Sequence, residues 1–241
     1  MQLHGGFTFD DAAAWMPYLH ALGVTHLFCS PVLQASPGST HGYDVVDHSR
    51  ISEECGGEEA FQRLSQAAHE QGIGVVVDVV PNHMAVPTPI WHNHALWDVL
   101  RRGPESAYAE WFDLDMTDSQ AILMPVLGNR IGRELEHISF TTDVINSEEQ
   151  PVVAYYDQVF PVRPGTEDLP LDELLERQWY RLAYWRIGSE ELNYRRFFDV
   201  DTLAAIRVED PAIFEATHRK LIQLHAEGLI DGFRIDPIDG L

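Results

Sequence analysis

Lysine is nearly missing from this chain: of 16 basic residues only Lys220 is lysine, and they face 38 acidic side chains, a formal net charge of −22. A field of that sign repels phosphate backbones and anionic lipid, which argues against nucleic acid and membranes as partners and suits a neutral substrate. Cysteine is scarce as well. Cys29 and Cys55 are too few for a disulfide framework, and a reduced, cytoplasmic compartment is the expectation. No apolar run reaches the roughly 18 residues of a membrane span, and no charged segment followed by an apolar one opens the chain. Internal repeats and low-complexity tracts are absent too. What is present is 241 residues, 45% hydrophobic and 10% aromatic, able to bury a sizeable core as one domain or a large part of one.

Strand and helix patterns alternate. Gln2-Leu3-His4 reads as the remains of a strand before a Gly5-Gly6 turn. Thr8, with Asp11 three residues on, caps a helix expected to run to Leu22 and stop at Gly23. Val24 to Ser30 is a short apolar strand, and the polar, turn-rich segment from Pro31 to Gly57 reads as a long loop. Helical spacing of Phe61, Leu64 and Ala68 predicts a helix from Glu58 to Gln71, ended by Gly72; Glu53, Glu54, Glu58 and Glu59 suit its N-terminal dipole. Gly74 to Val80 is a β-branched run of the kind buried on both faces of a parallel sheet. From Met84 to about Pro170, short mixed segments such as Trp111-Phe112-Asp113-Leu114 and Val152-Val153-Ala154-Tyr155-Tyr156 suggest an inserted subdomain. Helices are expected again over Leu171 to Arg186 and Pro211 to Glu227, then a strand over Asp231 to Asp236. The order predicts an α/β architecture.

Polar groups gather after the C-terminal ends of the expected strands, where parallel α/β folds build active sites. They are His4 and its glycine pair, the loop His41-Gly42-Tyr43-Asp44-Val45-Val46-Asp47, Asp78 to His83, and Arg234 with Asp236. Side chains alternate along a strand, so Arg234 and Asp236 share one face, and the guanidinium favours the charged carboxylate a nucleophile requires. Asp78 is open to two readings, a structural carboxylate neutralised by Arg234 or a functional group. His83 is either a loop histidine or a site residue. Tyr43 is either ordinary packing or, as its place after His41-Gly42 in a long polar loop favours, a ring that stacks on a sugar face, with His41 and Asp44 suited to hydroxyls. His92-Asn93-His94 lacks a surrounding ligand set and reads as a solvated loop rather than a metal site.

DVVPNH at 78–83 and GFRID at 232–236 resemble the first and second signature regions of the α-amylase superfamily, glycoside hydrolase family 13. QLHGGFTFDDAA, SPGSTHGYDVVDHSRI, ERQWYRLAYWR, LNYRRFFDV and RVEDPAIFEATHR are similar to its (1→4)-α-D-glucan 1-α-D-glucosylmutase branch. The resemblance implies a partial (β/α)8 TIM barrel, its first four strands, with an inserted subdomain after the third: 1–83, then the insertion at 84–170, then the barrel again at 171–241. It implies a retaining, intramolecular transfer that turns the terminal α-1,4 linkage of a maltooligosaccharide into an α,α-1,1 linkage. Asp236 matches the nucleophile, Arg234 the arginine that holds it, Asp78 and His83 the first-region residues around the reacting sugar, and Tyr43 the stacking aromatic.

In that family a glutamate after the fifth strand is the general acid/base and an aspartate after the seventh stabilises the transition state. Neither position is expected before Leu241, and both ends of the chain are expected to be cut. No cofactor is expected. No required metal is expected either: Asn82 matches a calcium-binding position of many α-amylases, but no dense set of oxygen ligands surrounds it in sequence. Pro237 stands where the family usually has histidine. A half barrel is also expected to associate through its open edges.

Overall fold

The structure is a computed structural model and describes residues 1–114 and 121–237. Two compact units are present: Met1–Ala85 with Val208–Leu241, and Val86–Arg207.

The first unit is built on a three-stranded parallel sheet. Its strands are β1 (His26–Cys29), β4 (Gly74–Val79) and β5 (Gly232–Ile235), in that order across the sheet. The valine-rich run of β4 takes the centre because both its edges are paired and Val75, Val77 and Val79 are buried. Helix α3 (Gly57–Glu70) leads into β4, and α4 (Pro211–Ala226) into β5. α3 buries Ala60, Phe61, Leu64 and Ala68, the stripe its spacing predicts. Phe61 meets Phe9 edge-on at 5.3 Å.

The helix expected from Thr8 to Leu22 is two: α1 (Phe9–Ala14), with Thr8 and Asp11 forming the reciprocal cap, and α2 (Met16–Ala21). Pro17, in the first turn of α2, has no N–H to continue the ladder of α1, so the chain restarts there. Gln2-Leu3-His4 is not a strand; His4 bridges Phe7, and the Met1 carbonyl accepts from the Ser30 N–H at 2.9 Å. The expected loop from Pro31 to Gly57 contains a hairpin, β2 (Leu33–Ala35) with β3 (Val45–Ile51), whose pairing is irregular.

In the second unit, Ile122–Leu127 pairs in parallel with Tyr180–Tyr184. A three-stranded antiparallel sheet runs through Ile138–Ile145, Glu148–Tyr155 and Gln158–Pro161, its first turn made by Asn146 and Ser147 at φ of 52° and 68°. The helix expected over Leu171 to Arg186 ends at Glu176. The aromatic residues that follow favour a strand, in which Tyr180 and Leu182 are buried while Arg181 points out. That strand belongs to the second unit. His92-Asn93-His94 is a helix start instead of a solvated loop: buried Asn93 caps His94–Arg102, its side chain accepting from the Leu96 N–H at 3.1 Å. Among the described residues no helix is long and apolar enough to cross a membrane.

Candidate active site

Four side chains from three segments meet at the C-terminal end of the parallel sheet. Arg234 of β5 and Asp78 of β4 are register partners, so their side chains leave the sheet on the same face. The Asp78 carboxylate is wholly buried, and a Nη1 proton donor of Arg234 lies 2.9 Å and 3.1 Å from its two oxygens. The same nitrogen stands 2.6 Å from Asp236 Oδ1. The bond to Asp78 is the first reason the guanidinium holds its proton more tightly than usual. Asp236 extends the ladder by one rung, its N–H donating to the Val79 carbonyl at 3.0 Å. Pro237, lacking an N–H, cannot add another. Asp236 is left partly exposed, its side chain 26% accessible, while Asp78 is sealed beneath it.

Tyr43 arrives from the β2–β3 connection. Its hydroxyl donates to Asp78 Oδ2 at 2.7 Å. Burial, and then the bond to that carboxylate, push the phenol up to about 12, so Tyr43 stays a donor at neutral pH. The approach depends on Gly42, which sits at φ of +83°; a Cβ there would lie 2.7 Å from the Pro31 carbonyl oxygen. Ser39 Oγ accepts from the Gly42 N–H at 3.1 Å and donates to Asp44, while His41 Nδ1 accepts from the Tyr43 N–H at 3.1 Å. His41 and Asp44, 3.6 Å apart, therefore shape the turn that presents the ring.

His83 holds the same turn from below, its Nε2 donating to the Tyr43 carbonyl at 3.0 Å. Burial lowers its affinity for a second proton. A neutral imidazole that donates from Nε2 accepts at Nδ1. Asn82 Oδ1 stands 3.0 Å from Nδ1 while the buried amide nitrogen has no partner among the described residues, so exchanging the two amide positions would give Nδ1 its donor and the nitrogen its acceptor.

The structure thus brings Tyr43, Asp78, Arg234 and Asp236 together, with His83, His41 and Asp44 as supports of the Tyr43 turn. His4 is engaged in its own turn, accepting from the Gly6 N–H at 3.0 Å. Asp239, beyond the end of β5, lies outside the described residues. Sequence reasoning missed the role of Ser39 and the strain-relieving need for Gly42; the Gly-Tyr step after a polar run was the available signal. Chemically, the array offers one partly exposed carboxylate held by a guanidinium, beside a tyrosine whose hydroxyl is bound to the buried carboxylate.

A parallel sheet with crossover helices, bearing such an array at its carboxyl end, defines a partial TIM-barrel-like α/β fold. The α-amylase catalytic-domain family matches residues 12–241, and the chain belongs to that family. A Mycobacterium tuberculosis protein provisionally named a maltooligosyl trehalose synthase is 44% identical over 98% of this chain and 29% of its own length. The structure of maltooligosyltrehalose synthase from Arthrobacter ramosus aligns with a TM-score of 0.90 at 47% identity, over 98% of this chain and 30% of that one. A Sulfolobus tokodaii structure described as a hypothetical maltooligosyl trehalose synthase gives 0.85 at 39% identity, over 100% of this chain and 31% of its own. The chain spans about three tenths of the length of these relatives.

Proposed function

We propose that the chain carries the nucleophile side of an intramolecular transglucosylase, which converts the reducing-end α-1,4 linkage of a maltooligosaccharide to an α,α-1,1 trehalosyl linkage. The observation that carries this reading is the Asp78–Arg234–Asp236 array beside Tyr43, in a chain resembling maltooligosyltrehalose synthases along its length. Asp236 is the nucleophile. Arg234 holds its charge and aim, Asp78 neutralises the arginine from within the sheet, and the Tyr43 ring stacks on the sugar. His41, Asp44 and His83 serve substrate binding through that loop.

Retaining transfer places a carboxylate on one side of the anomeric carbon and a general acid/base roughly 5–5.5 Å away. Asp236 attacks while the acid/base protonates the departing glucose, and a covalent glycosyl intermediate forms. The released glucose then re-attacks through its own anomeric hydroxyl, which requires water to be kept out. Asp78 is committed to Arg234 and Tyr43 and does not fill the acid/base role. The resemblance assigns that role, and the transition-state stabiliser, to later barrel strands. We take the sheet of the first unit as part of the first four strands of an eight-stranded barrel, residues 84–170 as an insertion after the third, and residues 171–241 as the continuation of the barrel. A cytoplasmic setting is consistent with two buried free thiols.

A second reading is an α-glucan hydrolase or glucanotransferase of the same family. It is favoured by the match to a Thermoactinomyces vulgaris neopullulanase, 39% identical over 42% of this chain and 16% of its own length. A third is a non-catalytic glucan-binding protein, favoured by the commitment of Asp78. The test is product analysis with maltopentaose. A full-length form should yield a non-reducing trehalosyl product and lose nearly all turnover on Asp236→Asn, while residues 1–241 alone should neither isomerise nor hydrolyse. Shortened maltooligosaccharides would select the second reading, and glucan binding without turnover by any form the third. Normal turnover by full-length Asp236→Asn would sink the assignment of the nucleophile.

A further inference from the structure

Behind the site, on β3, His48 is buried, and among the described residues neither of its ring nitrogens has a hydrogen-bond partner. The Val80 backbone is near enough to favour its charged form but is not in hydrogen-bonding geometry. Burial nonetheless keeps the ring neutral, with one N–H to give and one lone pair to fill. Leaving both unmade in the interior is costly unless something polar reaches them.

A small cavity adjoins the ring. Its room for the centre of a water-sized sphere is about 10 Å3, and its walls include Asp78, Thr217 and His218 beside apolar Val45 and Leu221. That is close to the space one water needs, and a buried water also needs two to four polar partners. They are available. Asp78 Oδ2 already accepts from Tyr43 and Arg234, but among the described residues Oδ1 accepts from Arg234 alone, at 3.1 Å, and has a lone pair to spare. The Thr217 hydroxyl donates to the Ile213 carbonyl at 2.9 Å and can still accept. His218 is turned to the Phe214 carbonyl at 2.9 Å.

We propose that this cavity is a built site for one water, which accepts from a His48 N–H and donates to Asp78, and that His48 is thereby a positioning residue for the Asp78–Arg234–Asp236 array. The carboxylate is gripped from the substrate side by Tyr43 and Arg234. A water behind it fixes its rotation about the Cβ–Cγ bond, and with it the direction in which Arg234 offers Asp236. The catalytic half of the proposal rests on the transglucosylase reading; the water site does not.

The experiment is a high-resolution crystal structure of the full-length form, with steady-state kinetics on maltopentaose for wild type, His48→Phe and His48→Gln. The wild type should show one ordered water within hydrogen-bonding distance of both His48 and Asp78. His48→Phe should displace it and lower kcat on the order of tenfold with KM little changed, as loss of orientation does. His48→Gln, which keeps a donor and an acceptor, should restore most of the rate. A dry cavity, or a water that does not touch Asp78, would overturn the site. An unaltered kcat in His48→Phe would overturn the positioning role. If His48→Phe does not fold, the wild-type density and the His48→Gln rate decide. If no form turns over glucan, the functional reading fails while the density still decides the water.

Discussion

Asp78 and Arg234 stand opposite each other on one rung of the parallel sheet, and their charged groups meet at 2.9 Å, with the carboxylate sealed from solvent and the guanidinium half exposed. The asymmetry sets what each substitution does. Removing the arginine strands a buried charge, which is far worse than removing a surface one. Arg234→Met is expected to lower unfolding stability by about 2 kcal/mol, below the figure for a fully buried pair because half the arginine is screened by water. Denaturant titration checks this; an unchanged midpoint would show that Asp78 needs no counter-charge.

Tyr43 is expected to act through its ring face. In a full-length form Tyr43→Ala should lower kcat/KM by roughly tenfold or more, about 1.4 kcal/mol of transition-state binding. Tyr43→Phe should keep most activity, because Arg234 still neutralises Asp78. Gly42→Ala, with an intact ring on a displaced turn, should behave like Tyr43→Ala. Wild-type kinetics for the alanine at Tyr43 would reduce the ring to packing.

Acid should destabilise the first unit well above the carboxylate range. Burial, and next the proximity of His218, push the His48 imidazole from 6.5 down to about 4. The unfolded chain therefore binds the extra proton between those values. The stability His48 contributes is complete above its unfolded pKa and falls as pH drops toward its folded one. His83 and His218, also lowered by burial, act in the same sense. For His48 alone the loss at pH 5 is about 2 kcal/mol. Asp47 and Asp231, whose folded values are depressed, keep their contribution until the pH falls below the ordinary carboxylate value of 3.8. Urea midpoints measured from about pH 7 to about pH 5 should decline, and more shallowly in His48→Phe. Equal slopes would mean that His48 is not held neutral by the fold.

Residues 1–241 expressed alone should associate or be only marginally stable. Among the described residues β5 pairs with β4 alone, and Phe233 and Ile235 on it are 37% and 41% exposed, with Phe28 of β1 at 43%. An unpaired strand edge flanked by apolar side chains invites another chain. Size-exclusion chromatography over a concentration series should show growing oligomers. A monodisperse monomer with one sharp melt would contradict the expectation.

Calcium should add nothing to thermal stability. The Asn82 side chain is engaged with His83, and among the described residues no cluster of three or more acidic, histidine or cysteine side chains is placed to hold a metal. A rise of several degrees with calcium that Asn82→Ala abolishes would reverse this.

Local order was written into the amino-acid sequence wherever one segment's own pattern was enough. The β-branched run of β4, the stripe of α3, the Thr8–Asp11 cap and the alternation that puts Arg234 and Asp236 on one face each depend on residues within a few positions of one another. What depended on partners far along the chain was decided only by the tertiary structure. Polar residues between Pro31 and Gly57 hid the β2–β3 hairpin, because a strand's pairing is a non-local choice that composition does not announce. With the hairpin hidden, the burial of His48 was hidden too. Likewise Tyr180 and Leu182 form a strand because Ile122–Leu127 lies alongside, overriding a helical reading of the segment. The choice of Asp78 as the carboxylate that Tyr43 and Arg234 share came from the register of β4 against β5, a fit among segments 35 and 156 residues apart from it that no local periodicity encodes.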